Sequence, residues 1–200
     1  MLLAIDTSAG TSVALVDRDL GVIAERNSPD TRGHAEVIGT FITEVLAGHE
    51  VTSLSGVAIG MGPGPFTGLR VGIAAGRAFA FGAGIPTVPI VSHDAIALGH
   101  TEPVMVVTDA RRREVYWSRY AGLDDQGIPI RVDGPDLCPP ADLPDDSAYT
   151  RIDALEVAAA SVGLLAESLY ANGRSFAADV ALYLRAPDAT APGAPKRVTS

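Results

Sequence analysis

The sequence predicts an α/β protein built from two related lobes. Three observations predict it. An apolar run, residues 54–61, stops at the Gly- and Pro-rich stretch Gly62-Pro-Gly-Pro-Phe-Thr-Gly68, and a helical pattern follows, which makes a strand–turn–helix unit. Strand hairpins precede a helix in both halves of the chain. A chain of 200 residues with 47% apolar content can bury the core of one domain or two small lobes.

Residues 2–8, 11–16 and 22–27 read as three short strands joined by tight turns, an antiparallel meander. Residues 34–47 carry apolar side chains at 37, 38, 41, 42, 45 and 46, the spacing of one helical face. The strand at 54–61 follows, then a helix over 68–82 with Thr67 as its expected cap. A strand at 87–91 and a short helix through residue 100, expected to be capped by Ser92, complete the first half. The second half opens with strands at 103–109, 114–120 and 127–132. Residues 133–147 are rich in Pro and Asp and read as loop. Residues 153–172 are expected to form the longest helix, with Leu155, Ala159, Val162, Leu165, Ala166 and Leu169 on its core face. A last strand is expected at 180–185, and residues 186–200 form a tail without periodicity.

The net charge of −9 makes the chain a poor autonomous binder of nucleic acid, whose affinity comes mainly from cationic contacts to phosphate. The basic triplet Arg111-Arg112-Arg113 reads as a solvated turn. Cys138 is the single cysteine, so no internal disulfide forms, which agrees with a reducing compartment. No basic region precedes the first apolar residues, so no signal peptide is expected. The apolar run 71–85 is interrupted by Arg77 and is too short for a membrane span. A soluble cytoplasmic protein is expected.

The turn at 62–68 fails both common phosphate motifs. No Lys follows its last Gly, as a P-loop requires, and the third Gly of a dinucleotide fingerprint is replaced by Thr67. Pro63 and Pro65 remove two N–H donors from any anion nest. Asp6-Thr7-Ser8 ends the first strand where nucleotide phosphates would sit, so these residues are candidates for a degenerate nucleotide loop or for hydrogen bonding within the turn. Two His at i and i+4 on a helix bind a metal from one face, but His34 is followed at that spacing by Ile38. No metal site, cofactor or catalytic constellation is expected. Gly68, Gly72 and Gly76 recur every four residues on one helix face. Each interior Gly costs about 1 kcal/mol relative to Ala, so the stripe implies close approach to something. Either the chain's own sheet or a partner helix would serve.

Asp6 with its neighbours, His34-Ala-Glu36, the stretch from Gly62 to Gly72, Asp109-Ala-Arg-Arg-Arg-Glu-Val-Tyr116 and Leu182-Tyr-Leu-Arg185 together resemble the TsaB (YeaZ) family of bacterial tRNA threonylcarbamoyladenosine biosynthesis subunits. The resemblance spans nearly the whole chain. It implies an α/β, two-lobed actin/Hsp70/sugar-kinase-like (ASKHA) fold, each lobe a mixed sheet with flanking helices. The lobes expected are 1–101 and 102–186, with 187–200 as tail. It implies a non-catalytic scaffold that activates a catalytic TsaD-like paralogue together with a TsaE-like ATPase. That complex would modify the adenosine beside the anticodon, and the chain would meet tRNA only through it and pair with itself when the partner is absent. The broken His34/Ile38 pair fits the inactive partner of that pairing. His34, Val37, Phe41 and Val45 of the first helix, and Gly68, Leu69, Gly72, Ile73 and Gly76 of the second, are the expected partner surface. Two departures stand out: Pro65 replaces a Ser frequent in the family, and residues 145–150 look short of a strand and turn. An ATPase or kinase of the same fold and a glycoprotease-like peptidase remain the alternatives.

Overall fold

The computed structural model describes residues 1–144 and 147–185. A first sheet contains β1 (Leu2–Asp6), β2 (Thr11–Asp17), β3 (Gly21–Ser28), β4 (Gly56–Gly60) and β5 (Thr87–Ile90) in the order β3-β2-β1-β4-β5. The β1–β2–β3 meander is antiparallel, and β4 and β5 join it in parallel register. Parallel neighbours need crossover helices, and α1 (His34–Val45) and α2 (Phe66–Ala83) supply them. A second sheet holds β6 (Val104–Asp109), β7 (Val115–Leu123), β8 (Pro129–Cys138) and β9 (Thr150–Ala154) in the order β8-β7-β6-β9, with β9 parallel to β6. The short helix α3 (Ser92–Ala97) lies between the sheets, and α4 (Ala159–Ala171) follows β9.

Every residue of β1 is buried because both faces of the first sheet are covered. Leu3, Ile5, Val13, Leu15, Val57 and Ile59 face α1 and α2, meeting Ile38, Val45, Leu69 and Ile73. Leu2, Ala4, Ala14, Val16 and Ala58 face the other way and meet Val162, Leu165 and Ala166 of α4. The expected boundary near residue 101 falls between α3 and β6, yet α4 returns to the first sheet after the second is complete. The backbone N–H groups of Ala159 and Ala160 at its start donate to Ser12 Oγ at 2.7 Å and to Glu25 Oε1 at 3.0 Å. No helix among the described residues is long and apolar enough to cross a membrane.

Several sequence expectations are corrected. Thr67 is not the cap of α2. The helix starts one residue after Pro65, whose missing N–H is no loss at a helix start. Ser92 is the first residue of α3 rather than its cap, and its hydroxyl is used elsewhere. Residues 133–138 are strand, not loop, since β8 is an edge strand and an edge tolerates proline. Residues 150–154 form β9, which satisfies the open side of β6, so the last helix starts at Ala159 and α2 is longer. Leu155, expected in the core, is 88% exposed. Residues 180–185 form no strand. Single hydrogen bonds, Ala177 N–H to Pro89 O and Leu182 N–H to Met61 O, strap this segment across the ends of β5 and β4. The expected tail lies outside the described residues.

Candidate functional site at the cleft between the sheets

The site begins where β1 ends. Asp6 is 1% exposed. Its Oδ1 accepts the Ser8 N–H at 2.7 Å and the Ser8 hydroxyl at 2.5 Å, and its Oδ2 accepts the Ser92 hydroxyl at 2.6 Å. Ser92 Oγ in turn accepts the Gly62 N–H at 3.0 Å, so one carboxylate ties β1, the turn after β4 and α3 together. A Cβ on Gly60 would fall 1.8 Å from Asp6 Oδ2, which is why glycine ends β4. Burial pushes the Asp6 carboxyl above the usual carboxylate range, against the pull of the Ser8 and Ser92 hydrogen bonds.

Thr7 points into α2. Its hydroxyl donates to Gly68 O at 2.7 Å and accepts the Gly72 N–H at 3.0 Å. These two groups are an i, i+4 pair of the helix ladder, so the Thr7 hydroxyl bridges a rung of α2. The bridge explains the glycine stripe. A Cβ on Gly68 would lie 2.7 Å from Thr7 O, one on Gly72 2.3 Å from Thr7 Oγ1, and one on Gly76 2.7 Å from Ile59 Cδ1. The stripe therefore faces the chain's own sheet and not a partner, which corrects the expectation for Gly68, Gly72 and Gly76. Leu69, Ile73 and Val45 are buried in the same core, while Val37 and Phe41 are half-buried on α1.

His34 is 6% exposed. Its Nδ1 lies 2.8 Å from Thr11 Oγ1, and its ring packs where a side chain at Gly68 would stand. Burial lowers its pKa, which keeps the ring neutral at neutral pH. Ile38, one turn on, is buried against the sheet. Among the described residues no group of three or more His, Cys, Asp or Glu side chains could hold a metal ion.

Between the sheets lies a cleft of about 330 Å³. Ser8, Thr31, His34 and Pro65 line one wall, and Thr108, Asp109, Arg111 and Asp153 line the other. Asp6 and Thr7 are not part of the lining, so of the three strand-end residues the structure brings only Ser8 to the cleft. Arg111 closes one rim by donating to Thr31 Oγ1, across from the second sheet to the start of α1. Sequence reasoning missed Thr31, Ser92, Asp109 and Arg111 as site residues. The available signal was Asp109, a carboxylate that ends β6 as Asp6 ends β1.

Two mixed sheets, each begun by a hairpin and flanked by helices around a central cleft, define the actin/Hsp70/sugar-kinase-like class. Residues 18–143 match the family model described as TsaD: tRNA N6-adenosine threonylcarbamoyltransferase. The chain belongs to this family and stands with its TsaB (YeaZ) members. It is 41% identical to the uncharacterized protein Mb3455c of Mycobacterium bovis over 94% of this chain and 93% of that protein. It is 40% identical to the tRNA threonylcarbamoyladenosine biosynthesis protein TsaB of Haemophilus influenzae, over 59% of this chain and 52% of that protein. The chain thus spans about half the length of that named relative. A Pseudomonas aeruginosa structure described as similar to peptidase YEAZ superposes with a TM-score of 0.77 at 26% identity, covering 92% of this chain and 99% of that one.

Proposed function

We propose that this chain is a non-catalytic subunit of the cytoplasmic machinery that installs threonylcarbamoyl on the adenosine beside the anticodon of tRNAs. It acts as the scaffold for a catalytic TsaD-like paralogue, works with a TsaE-like ATPase, meets tRNA only within that complex and pairs with itself when the paralogue is absent. The observation that carries the reading is the state of Asp6. Both its carboxylate oxygens are taken up by Ser8 and Ser92, and it lies behind the cleft rather than in it. A carboxylate that organises a metal and phosphates must offer an oxygen to them, and this one is committed to the fold.

The partner surface is the outer face of the α1/α2 pair, since the inner face is core. Ala35, Gly39, Thr40 and Thr43 on α1 and Ala74 and Ala78 on α2 are exposed, with Val37 and Phe41 half-buried beneath them. Small residues over an apolar floor allow a second helix pair to approach closely.

The test is co-purification of the tagged chain with the TsaD-like protein of its own cell, followed by tRNA modification with and without the chain. Association, loss of modification when the chain is omitted, and loss of both in Thr40→Glu/Ala74→Glu at unchanged melting temperature are the expected results. ATP turnover by the isolated chain with magnesium, removed by Ser8→Ala, would instead support an ATPase and overturn the scaffold reading.

A further inference from the structure

Among the described residues the main chain crosses between the sheets through α3 after β5 and through residues 155–158 after β9. At the first crossing three consecutive side chains fasten to different sheets. Ser92 holds the first sheet. Its hydroxyl donates to Asp6 Oδ2 at 2.6 Å and accepts the Gly62 N–H at 3.0 Å, and its own N–H donates to Gly62 O at 2.8 Å. His93 and Asp94 hold the second sheet. The His93 ring lies between Ser118 Oγ of β7 at 2.8 Å and Thr108 Oγ1 of β6 at 2.9 Å. The Tyr120 hydroxyl of β7 donates to Asp94 Oδ1 at 2.7 Å, and the Arg131 guanidinium of β8 stands 3.3 Å from the same oxygen. Ser92, His93 and Ser118 are fully buried.

The apolar residues of α3 divide in the same way. Ala95 belongs to the core of Leu2, Ala4 and Ala58 from the first sheet, and Ala97 to that of Val104, Val106 and Tyr120 from the second. The second crossing is tied as closely. Val157 is buried in the first sheet's core, and the N–H groups of Ala159 and Ala160 are held by Ser12 and Glu25. Ile128, in the turn between β7 and β8, joins the same core. Closure of two lobes needs a few residues at their boundary that are free to change φ and ψ. A rotation between β5 and α3 would pull Ser92 off Asp6. A rotation between α3 and β6, where Gly99 has a φ of 88°, would pull His93 and Asp94 off their partners. Either movement strands buried polar groups. The links at the mouth of the cleft, Arg111 to Thr31 and Arg185 to Glu114, join side chains that solvent reaches.

We infer that Ser92, His93 and Asp94 are a clasp that fixes the angle between the two sheets, so that the cleft keeps its width with or without a ligand. The clasp is independent of the partner proposed above. A ligand of the cleft is then held in an open slot and is not sealed from water by closing lobes.

The experiment measures the distance between two nitroxide labels by pulsed electron paramagnetic resonance. The labels sit at Asp19→Cys on the first lobe and Leu155→Cys on the second, both exposed positions, with Cys138→Ser removing the native thiol. With the clasp intact the chain gives one narrow distribution, and an excess of ATP with magnesium moves its centre by less than about 2 Å. Thr108→Val/Ser118→Ala strips both partners from the His93 ring with little change in volume, so it broadens the distribution and lowers the melting temperature. Asp94→Asn, which cuts the ion pair with Arg131, broadens it less. Glu114→Gln, which loosens a link at the mouth, leaves it narrow. A broad or two-peaked distribution with the clasp intact, or a shift of more than about 2 Å on adding ATP, overturns the inference. So does a Thr108→Val/Ser118→Ala chain that melts lower yet keeps the narrow distribution, or broadening by Glu114→Gln as large as that variant's. The measurements with the clasp intact decide the matter even where a clasp variant fails to fold.

Discussion

Substituting Gly72 by Ala tests whether the glycine stripe of α2 serves the chain's own core. The added Cβ would stand 2.3 Å from Thr7 Oγ1, 3.0 Å from Thr7 Cγ2 and 3.2 Å from Thr7 Cβ. Thr7 cannot swing aside freely, because the same hydroxyl is bound to Gly68 O and the Gly72 N–H. Overpacking of this kind costs about 1–3 kcal/mol, and each hydrogen bond lost adds about 1 kcal/mol. Alanine returns about 1 kcal/mol as the better helix former. With both bonds lost the net loss is about 2–4 kcal/mol, a fall in Tm of about 4–16 °C for a chain of this size. Gly39→Ala in α1 is the internal control. Nothing lies within 4 Å of its added methyl, so it should raise Tm by about 2–4 °C. Thr7→Ala in the Gly72→Ala background removes the clashing hydroxyl and methyl and lets the helix rung close directly. The double variant should be more stable than Gly72→Ala, with a coupling of at least about 1 kcal/mol. Thermal melting of the wild type, Gly72→Ala, Thr7→Ala, the double variant and Gly39→Ala is the assay. A Gly72→Ala variant as stable as the wild type, or additive effects in the cycle, would refute the bridge.

Thr67→Ala should change stability by less than about 0.5 kcal/mol by denaturant melting, whereas a true N-cap would lose about 1 kcal/mol, because α2 starts at Phe66 without a side-chain cap. Ser92→Ala should cost about 2–4 kcal/mol, since it strips a partner from both Asp6 Oδ2 and the Gly62 N–H inside the core. His93 is fully buried between Ser118 Oγ at 2.8 Å and Thr108 Oγ1 at 2.9 Å, and burial lowers its pKa to about 3. Its folded pKa lies below the unfolded one, so the unfolded chain binds the extra proton between about pH 6.5 and 3 and stability drops as pH falls through that window. The slope is about 1.4 kcal/mol per pH unit, and His93→Asn should remove it. Asp6 and Asp94, both raised by burial, act in the opposite sense above their unfolded pKa, so the difference between the two proteins' pH profiles is the measurement.

The first half of the chain was legible because its signals are local. Alternation in β2, the apolar run of β4 and the helical spacing of α1 each depend on residues that also pack together. The errors share one cause, a contact with something distant in sequence. Leu155 fits the helical spacing of Ala159 and Val162, but β6 needed a partner along its open edge, and residues 150–154 became that strand. Ser92 has the residue type of a cap, but a carboxylate 86 positions earlier claimed its hydroxyl. The glycine stripe showed close approach, but spacing alone cannot name the approaching group, which proved to be Thr7 and Ile59. In the site, Asp6 and His34 were visible as residue types. Their burial, which ties Asp6 to Ser8 and Ser92 and sets His34 against Thr11, was not.

The return of α4 to the first sheet sets an order of events during synthesis. The face of that sheet formed by Leu2, Ala4, Ala14, Val16 and Ala58 has its cover only once residues 159–171 exist. A ribosome that has released the first hundred residues has thus produced a sheet with one wet apolar side, and the entropy of closing a loop of well over a hundred residues must be met before that side dries. Residues 1–171 are then the smallest unit in which both faces of that sheet are covered. A premature stop within the second sheet leaves a sticky surface for chaperones or proteases to recognise, not a working first lobe.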